Sequence, residues 1–161
     1  MKFQGNGINI EYELIGPEDA PTVVVSHSLG SSQIMWEPQL PPLALNFRVL
    51  CYDTRGHGKT DAPEGEYNLD MLGDDAMALM DGLGLSEVHW VGLSMGGMIG
   101  QNIALRELGR FKSLSLCDTS SRIPPEGKAA WEVRIAAASA KGMGPLAQPT
   151  MERWFTAPYL A

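Results

Sequence analysis

The sequence predicts an α/β fold: a mostly parallel β-sheet with helices on both faces. The first observation behind this prediction is the alternation of short apolar runs with amphipathic stretches up to Cys117. The second is that runs such as Val23–Val25 lack polar alternation, which is typical of strands buried on both faces of a parallel sheet. Strands joined by helices favour parallel pairing, because each connecting helix packs back onto a face of the sheet.

Five strands are expected from these runs. In residues 8–15 the apolar side chains occupy every second position, which predicts a half-buried strand. Continuous apolar runs predict further strands over 22–26, 48–52, 88–93 and 113–117.

Three helices are expected between the strands, over about 34–45, 69–83 and 95–108. Prolines interrupt the first of them. The second is amphipathic, with an apolar face and an acidic face that we expect to be solvated. Its apolar face carries Leu72, Ala76, Leu79 and Leu83, and its acidic face carries Asp74, Asp75 and Asp81.

The alternation of strands and helices stops after Thr119. A linker is expected over 120–125, followed by two helices over about 127–141 and 149–155 with no strand between them. We therefore predict two domains, with residues 1–119 forming the sheet and residues 120–161 the start of a helical cap.

Composition excludes several classes of function. The 161 residues carry a net charge of −7 without a run of basic residues, so nucleic-acid binding is not expected. An acidic protein has no electrostatic attraction to an anionic membrane, and no apolar stretch reaches bilayer length. Cys51 and Cys117 end apolar strands and are expected to be buried, reduced thiols. These features predict a cytoplasmic protein.

A nucleophile motif follows the strand at 88–93. Gly92-Leu93-Ser94-Met95-Gly96 matches G-x-S-x-G between a predicted strand and a predicted helix. The sharp turn holds a strained serine, exposes its Oγ, and directs the Met95 N–H toward the oxyanion formed on attack. The alternative is an ordinary strand–turn–helix with Ser94 as the helix N-cap.

Two further loops follow strands. His27-Ser28-Leu29-Gly30 follows the strand at 22–26, and the Leu29 N–H is the candidate second oxyanion donor. We interpret His27 as a loop residue bonded to backbone, not as a base. In the loop at 53–58, Asp53 and Arg55 are expected to pair and to shape the loop together with its glycines, and neither they nor His57 is assigned a catalytic role.

These three motifs, in this order and each after a strand, resemble those of the α/β-hydrolase superfamily. Within it the chain is most similar to 3-oxoadipate enol-lactonases, on the basis of Ser28, Trp36 and the segments 117–119 and 152–156. The resemblance implies an α/β-hydrolase fold truncated after its sixth strand, at 113–117. It also implies hydrolysis of a small carboxylated enol-lactone, with no metal or organic cofactor.

The substrate's carboxylate needs a cation to offset the acidic protein. Arg134 and Arg153 are the candidates, because a guanidinium can bind a carboxylate through two hydrogen bonds. Trp36 and Trp154 are the aromatic candidates for the same pocket. The alternative for both arginines is that they are solvated helix residues.

No histidine follows Ser94, whereas a serine nucleophile of this type takes its base from an acid and a histidine later in the chain. Asp118 is a possible stand-in for the acid, although a structural role is favoured. We therefore predict a complementing C-terminal segment or chain that supplies both groups. The alternatives are a carboxylesterase or other α/β-hydrolase, and a non-catalytic binding module with this fold.

Overall fold

The computed structural model describes residues 1–122 and 124–161. The chain divides into two compact units, Met1–Ser121 and Arg122–Ala161. The expected linker at 120–125 includes Ile123, which lies outside the described residues. Within the described residues, no helix combines the length and the apolar character needed to cross a bilayer.

The first unit contains a six-stranded sheet in the order β1-β2-β4-β3-β5-β6. The last four strands of that order are mutually parallel, and β1 and β2 are antiparallel to their neighbours. The mostly parallel α/β prediction is therefore confirmed. The strands are β1 (Lys2–Gly5), β2 (Ile8–Ile15), β3 (Thr22–Ser26), β4 (Arg48–Tyr52), β5 (Val88–Leu93) and β6 (Phe111–Cys117).

Strand β1 was not expected from the apolar pattern. It pairs with β2 through a two-residue turn at Asn6 and Gly7, whose φ angles are +47° and +78°. Positive φ at both central residues matches the right-handed twist of the strands and is the reason for the Asn-Gly preference in such hairpins. The Asn-Gly pair was therefore the available sequence signal.

The first unit also contains three α-helices, and the described residues of the second unit form three more. The expected helix at 34–45 is two short pieces, a 3-10 turn at Gln33–Trp36 and α1, because its prolines lack the N–H that a continuous helix needs. The helix expected from Pro149 begins earlier and contains that proline in its interior. The helices are α1 (Leu40–Ala44), α2 (Leu69–Gly82), α3 (Met95–Glu107), α4 (Lys128–Lys141), α5 (Gly144–Trp154) and α6 (Ala157–Leu160).

Apolar side chains cover both faces of the parallel strands. Alternate residues of β3 enter different clusters, with Val24 on the face packed by α2 and α3, and Val23 and Val25 on the face packed by α1. This is the double burial expected of a central parallel strand. The expected inner face of α2 is confirmed, since Leu72 and Leu79 are both in the first cluster.

Two expectations about charged residues were wrong. Asp75 is not on a solvated face but only 2% exposed, and it accepts hydrogen bonds from Arg55 Nε at 2.7 Å and Arg55 Nη2 at 2.6 Å. Arg55 therefore pairs with Asp75 of α2, not with Asp53. A buried carboxylate needs such a partner, and the Asp75 carboxylate in turn raises the pKa of Arg55. Helical periodicity alone does not reveal a partner 20 residues away.

Strand β6 lies at the edge of the sheet. Among the described residues it pairs only with β5, so one row of its backbone polar groups has no strand beside it. Large apolar side chains are exposed on this strand and on the segment before it: Leu116 of β6 is 45% exposed, and Leu105 of α3 and Leu108 just after α3 are 89% and 71% exposed. An open edge flanked by apolar surface is a site where a further strand can pair.

Candidate active site

Ser94 has a strained backbone at the junction of β5 and α3. Its φ is +52° and its ψ is −111°, a conformation that residues with a side chain rarely adopt. This φ is far from the extended backbone of an ordinary serine N-cap, and the Ser94 side chain makes no capping bond to α3. Helix α3 begins at the next residue, and its Gly97 and Met98 N–H groups donate to the Ser94 carbonyl at 3.0 and 3.1 Å. The Met95 N–H comes before these bonds and has no acceptor within the helix.

The glycines around Ser94 make this turn possible, because neighbouring atoms occupy the positions that their Cβ atoms would take. A Cβ on Gly92 would collide with the Gly96 carbonyl, and one on Gly96 would collide with the Ser26 carbonyl. A Cβ on Gly97 would lie 2.7 Å from the side chain of Thr119. The small residues of the motif therefore allow α3 to approach the ends of β3 and β5 closely.

In addition to its bonds to α3, the Ser94 backbone is bonded to residues at and just after the end of β6. The Ser94 N–H donates to the Cys117 carbonyl at 2.9 Å. The Thr119 hydroxyl donates to the Ser94 carbonyl at 2.7 Å. Thr119 holds the motif in a way that sequence reasoning missed, because only the structure reveals which residue reaches the serine carbonyl.

The loop after β3 lies beside this turn. Strands β3 and β5 are parallel neighbours, and Ser26 is opposite Gly92, so the two loops leave the same edge of the sheet together. Leu29 in this loop is 39% exposed. The two N–H groups proposed as oxyanion donors, on Leu29 and Met95, thus come from adjacent loops of one edge.

His27 is completely buried and bonded to backbone through both ring nitrogens, as we expected. The Thr54 N–H donates to its Nε2 at 2.9 Å, so Nδ1 carries the hydrogen and donates to the Ser28 carbonyl at 2.8 Å. Burial lowers the pKa of His27 to about 4. The ring is therefore neutral near pH 7 and has no free nitrogen with which to accept a proton from a serine.

The lowered pKa of His27 predicts a pH dependence of stability. The unfolded chain binds a proton at His27 near pH 6.5 and the folded chain only near pH 4, so the unfolded state binds more protons between these values. The free energy of unfolding should therefore fall by about 3 kcal/mol as the pH drops through this window. Urea titrations at several pH values should show a steeper fall for the wild type than for His27→Gln, and equal slopes would contradict this assignment.

The loop after β4 is shaped by Asp53. Its carboxylate accepts the N–H of Gln33 at 2.7 Å and the N–H of Lys59 at 2.9 Å, and a Cβ on Gly58 would collide with it. His57 in this loop bonds to Gly30 and Arg55, and His89 on β5 bonds to the Ser113 hydroxyl at 2.8 Å.

All three histidines of the sequence are therefore bonded elsewhere, and none is hydrogen-bonded to Ser94. The described residues also contain no group of three or more His, Cys, Asp or Glu side chains arranged to hold a metal ion.

The candidate substrate-binding residues are distributed over both units. Trp36 is 9% exposed and packs in the cluster with Val25 and Leu40, and its indole N–H has no partner among the described residues. Asp118 follows β6 with a φ of +43°.

The other three candidates, Arg134, Arg153 and Trp154, lie in the second unit. Trp154 is 44% exposed. There the Arg134 guanidinium lies 4.5 Å from the ring centre of Trp131, an aromatic partner that sequence reasoning missed although the spacing of three residues on a helix favours it. Burial and, to a smaller extent, the charge of Arg153 lower the pKa of Arg134.

Known proteins resemble this chain along most of its length. The family model described as "alpha/beta hydrolase fold" matches residues 21–141. A 3-oxoadipate enol-lactonase of Acinetobacter baylyi is 37% identical over 150 residues, which cover 92% of this chain. An enol-lactonase structure from Burkholderia xenovorans superposes with a TM-score of 0.93 at 41% identity and covers 99% of the chain. A thermophilic esterase from Thermogutta terrifontis superposes over 95% of the chain with a TM-score of 0.86 at 28% identity.

The chain is shorter than these relatives. It spans 55% of the length of the Acinetobacter protein, 62% of the Burkholderia chain and 58% of the Thermogutta chain. The strained serine, the neighbouring loop and the sheet edge of this chain therefore correspond to part of a larger protein in each case.

Proposed function

Because the chain belongs to the alpha/beta hydrolase fold family, we propose that it carries the nucleophile and the oxyanion hole of a serine hydrolase. The proposed reaction is the hydrolysis of 3-oxoadipate enol-lactone, a small lactone with a free carboxylate, to 3-oxoadipate. The observation that carries the proposal is the backbone of Ser94, held at φ +52° between a strand and the N-terminus of a helix.

In the proposed mechanism Ser94 Oγ attacks the lactone carbonyl carbon. The oxyanion accepts hydrogen bonds from the N–H groups of Met95 and Leu29, which are fixed before the charge develops. The ring C–O bond then breaks, and the enolate that leaves is protonated and rearranges to a ketone. Water hydrolyses the acyl-enzyme and restores the serine. An enolate is a better leaving group than an amine, so proton donation to it contributes less than in amide hydrolysis.

The proton of Ser94 needs an acceptor that the described residues do not supply. His27 is neutral and bonded on both nitrogens, and His57 and His89 have other partners. A complementing segment that pairs with β6 and carries an acid and a histidine would supply it. We define the completed enzyme as residues 1–161 joined to the portion of the Burkholderia enol-lactonase that lies outside the 62% of that chain which the match covers.

The choice of substrate rests on the similarity to enol-lactonases. The protein has a net charge of −7, so a carboxylated substrate requires a local cation. Arg134 and Arg153 remain the proposed cations, and Trp36 and Trp154 the proposed aromatic contacts. A neutral ester is the second candidate, which the likeness to the Thermogutta esterase favours.

A fluorophosphonate probe tests the nucleophile. Such a probe forms a covalent bond with an activated serine, and we expect it to modify Ser94 in the completed enzyme, with slower modification in residues 1–161 alone. Peptide mass spectrometry identifies the modified residue. Ser94→Ala is the specificity control, and Ser86→Ala, which removes an exposed serine of the same unit, should be modified like the wild type. Modification of other residues at the same rate, or none in the completed enzyme, would exclude Ser94 as the nucleophile.

A further inference from the structure

Leu29 lies between two peptide groups that are each hydrogen-bonded to a histidine. The peptide before it contributes the Ser28 carbonyl, which accepts a hydrogen bond from His27 Nδ1 at 2.8 Å. The peptide after it contributes the Gly30 N–H, which donates to His57 Nε2 at 3.2 Å. A trans peptide group is planar, so its C=O and N–H point in opposite directions. The bond to the Ser28 carbonyl therefore fixes the direction of the Leu29 N–H.

His57 has a defined tautomer in this arrangement. Because the Gly30 N–H donates to Nε2, the hydrogen of the neutral ring is on Nδ1, which donates to the Arg55 carbonyl at 3.0 Å. His57 thus accepts from the loop at 27–30 and donates to the loop at 53–58. His27 does the opposite: it accepts from the Thr54 N–H and donates to the Ser28 carbonyl. The two rings, whose centres are 5.2 Å apart, thus connect the same two loops in opposite directions.

The loop at 53–58, which carries His57, is itself held in place by the hydrogen bonds of Arg55. Arg55 is 8% exposed, is bonded through two nitrogens to Asp75 of α2, and also donates to the Asn6 carbonyl at 3.2 Å. The carbonyl that receives the His57 hydrogen therefore belongs to a residue fixed by α2 and by the β1–β2 turn.

We propose that His57 is a positioning residue that holds the Leu29–Gly30 peptide and, together with His27, sets the direction of the Leu29 N–H in the oxyanion hole. This proposal rests on the proposed function, in which the Leu29 N–H binds the oxyanion. Neither bond of His57 involves Ser94 or the substrate, so its effect is exerted through the loop. Displacement of a catalytic group by about 1 Å can lower the rate of the chemical step by roughly 100-fold.

Two variants of His57 separate its two hydrogen bonds. In His57→Asn the side-chain amide reaches the position of Nδ1, which retains a donor for the Arg55 carbonyl but removes the acceptor for Gly30. In His57→Gln the amide reaches the position of Nε2, which retains an acceptor for the Gly30 N–H. His89→Asn is the control for the loss of a histidine, since its partner is the Ser113 hydroxyl.

Hydrogen exchange and serine reactivity are the two measurements. In the completed enzyme, NMR exchange of the Gly30 amide should be about fivefold faster in His57→Asn than in the wild type, while His57→Gln recovers most of the protection. In the completed enzyme, the rate of fluorophosphonate modification should fall about tenfold or more in His57→Asn, recover in large part in His57→Gln, and remain unchanged in His89→Asn.

The two measurements distinguish failure of this proposal from failure of the proposed function. Equal Gly30 exchange in the wild type and His57→Asn would overturn the role of His57, as would an equal loss in both His57 variants. Faster exchange with an unchanged rate of modification would show that the loop does not position an oxyanion donor. If the wild type is not modified at all, the proposed function fails, and the exchange data alone decide whether His57 holds the loop.

Discussion

Residues 1–161 alone are expected to show no Ser94-dependent turnover of an enol-lactone or a p-nitrophenyl ester, whereas the completed enzyme turns over both. The reason is the missing base: without it the Ser94 hydroxyl stays protonated and is a poor nucleophile. Loss of the histidine from a serine triad costs about 10⁶-fold in kcat, so the difference should be at least about 10⁴-fold. Initial rates of the two purified proteins at equal concentration provide the measurement.

The control for completion is a second fusion in which the added histidine is replaced by alanine. It restores the sheet without the base, so it should remain as inactive as residues 1–161. Solution mass by light scattering should show association or aggregation of residues 1–161, because the edge of β6 and the exposed Leu105 and Leu108 have no partner there. A monomer of residues 1–161 with strong Ser94-dependent activity would show that a base lies within this sequence.

Ser94→Ala in the completed enzyme should reduce kcat by a factor on the order of 10⁶. The variant retains the N–H groups of Met95 and Leu29, so a residual rate about 10³- to 10⁴-fold above that of water should remain. KM should change little, since the serine hydroxyl acts in the chemical step. Ser86→Ala should have wild-type kinetics, and wild-type turnover in Ser94→Ala would overturn the proposed mechanism.

The main features of the fold were predictable because they depend on local pattern. The runs at Val23–Val25 and at the start of β5 specify buried strands, and the G-x-S-x-G sequence between a strand and a helix specifies a sharp turn. The hairpin at Asn6 and Gly7 was missed because β1 has only four residues, too few for a clear period of two.

The supports of the site were not predictable in the same way. The partnership of Arg55 with Asp75, the bond from Thr119 to the Ser94 carbonyl, and the two histidine bridges all join residues that are distant in sequence. Periodicity describes which face of one element is apolar, but it carries no information about which loop lies beside another. Asp75 illustrates this best: its charge indicated solvent, although it lies three residues after Leu72 and four before Leu79 beside the apolar face, and its partner Arg55 accounts for its burial.

The attachment of Ser94 to β6 links assembly to reactivity. Besides its bonds to the first turn of α3, the Ser94 backbone is bonded to Cys117, the last residue of β6, and to Thr119 just after it. Among the described residues β6 is the strand with an unpaired edge on this side of the sheet. A strand that pairs with this edge stabilises the conformation in which those bonds form, and therefore increases the population of the strained serine. The coupling is reciprocal: an adduct that requires the strained serine must tighten the binding of the pairing segment by the same factor. A covalent inhibitor of Ser94 should therefore also act as a ligand that promotes completion of the sheet.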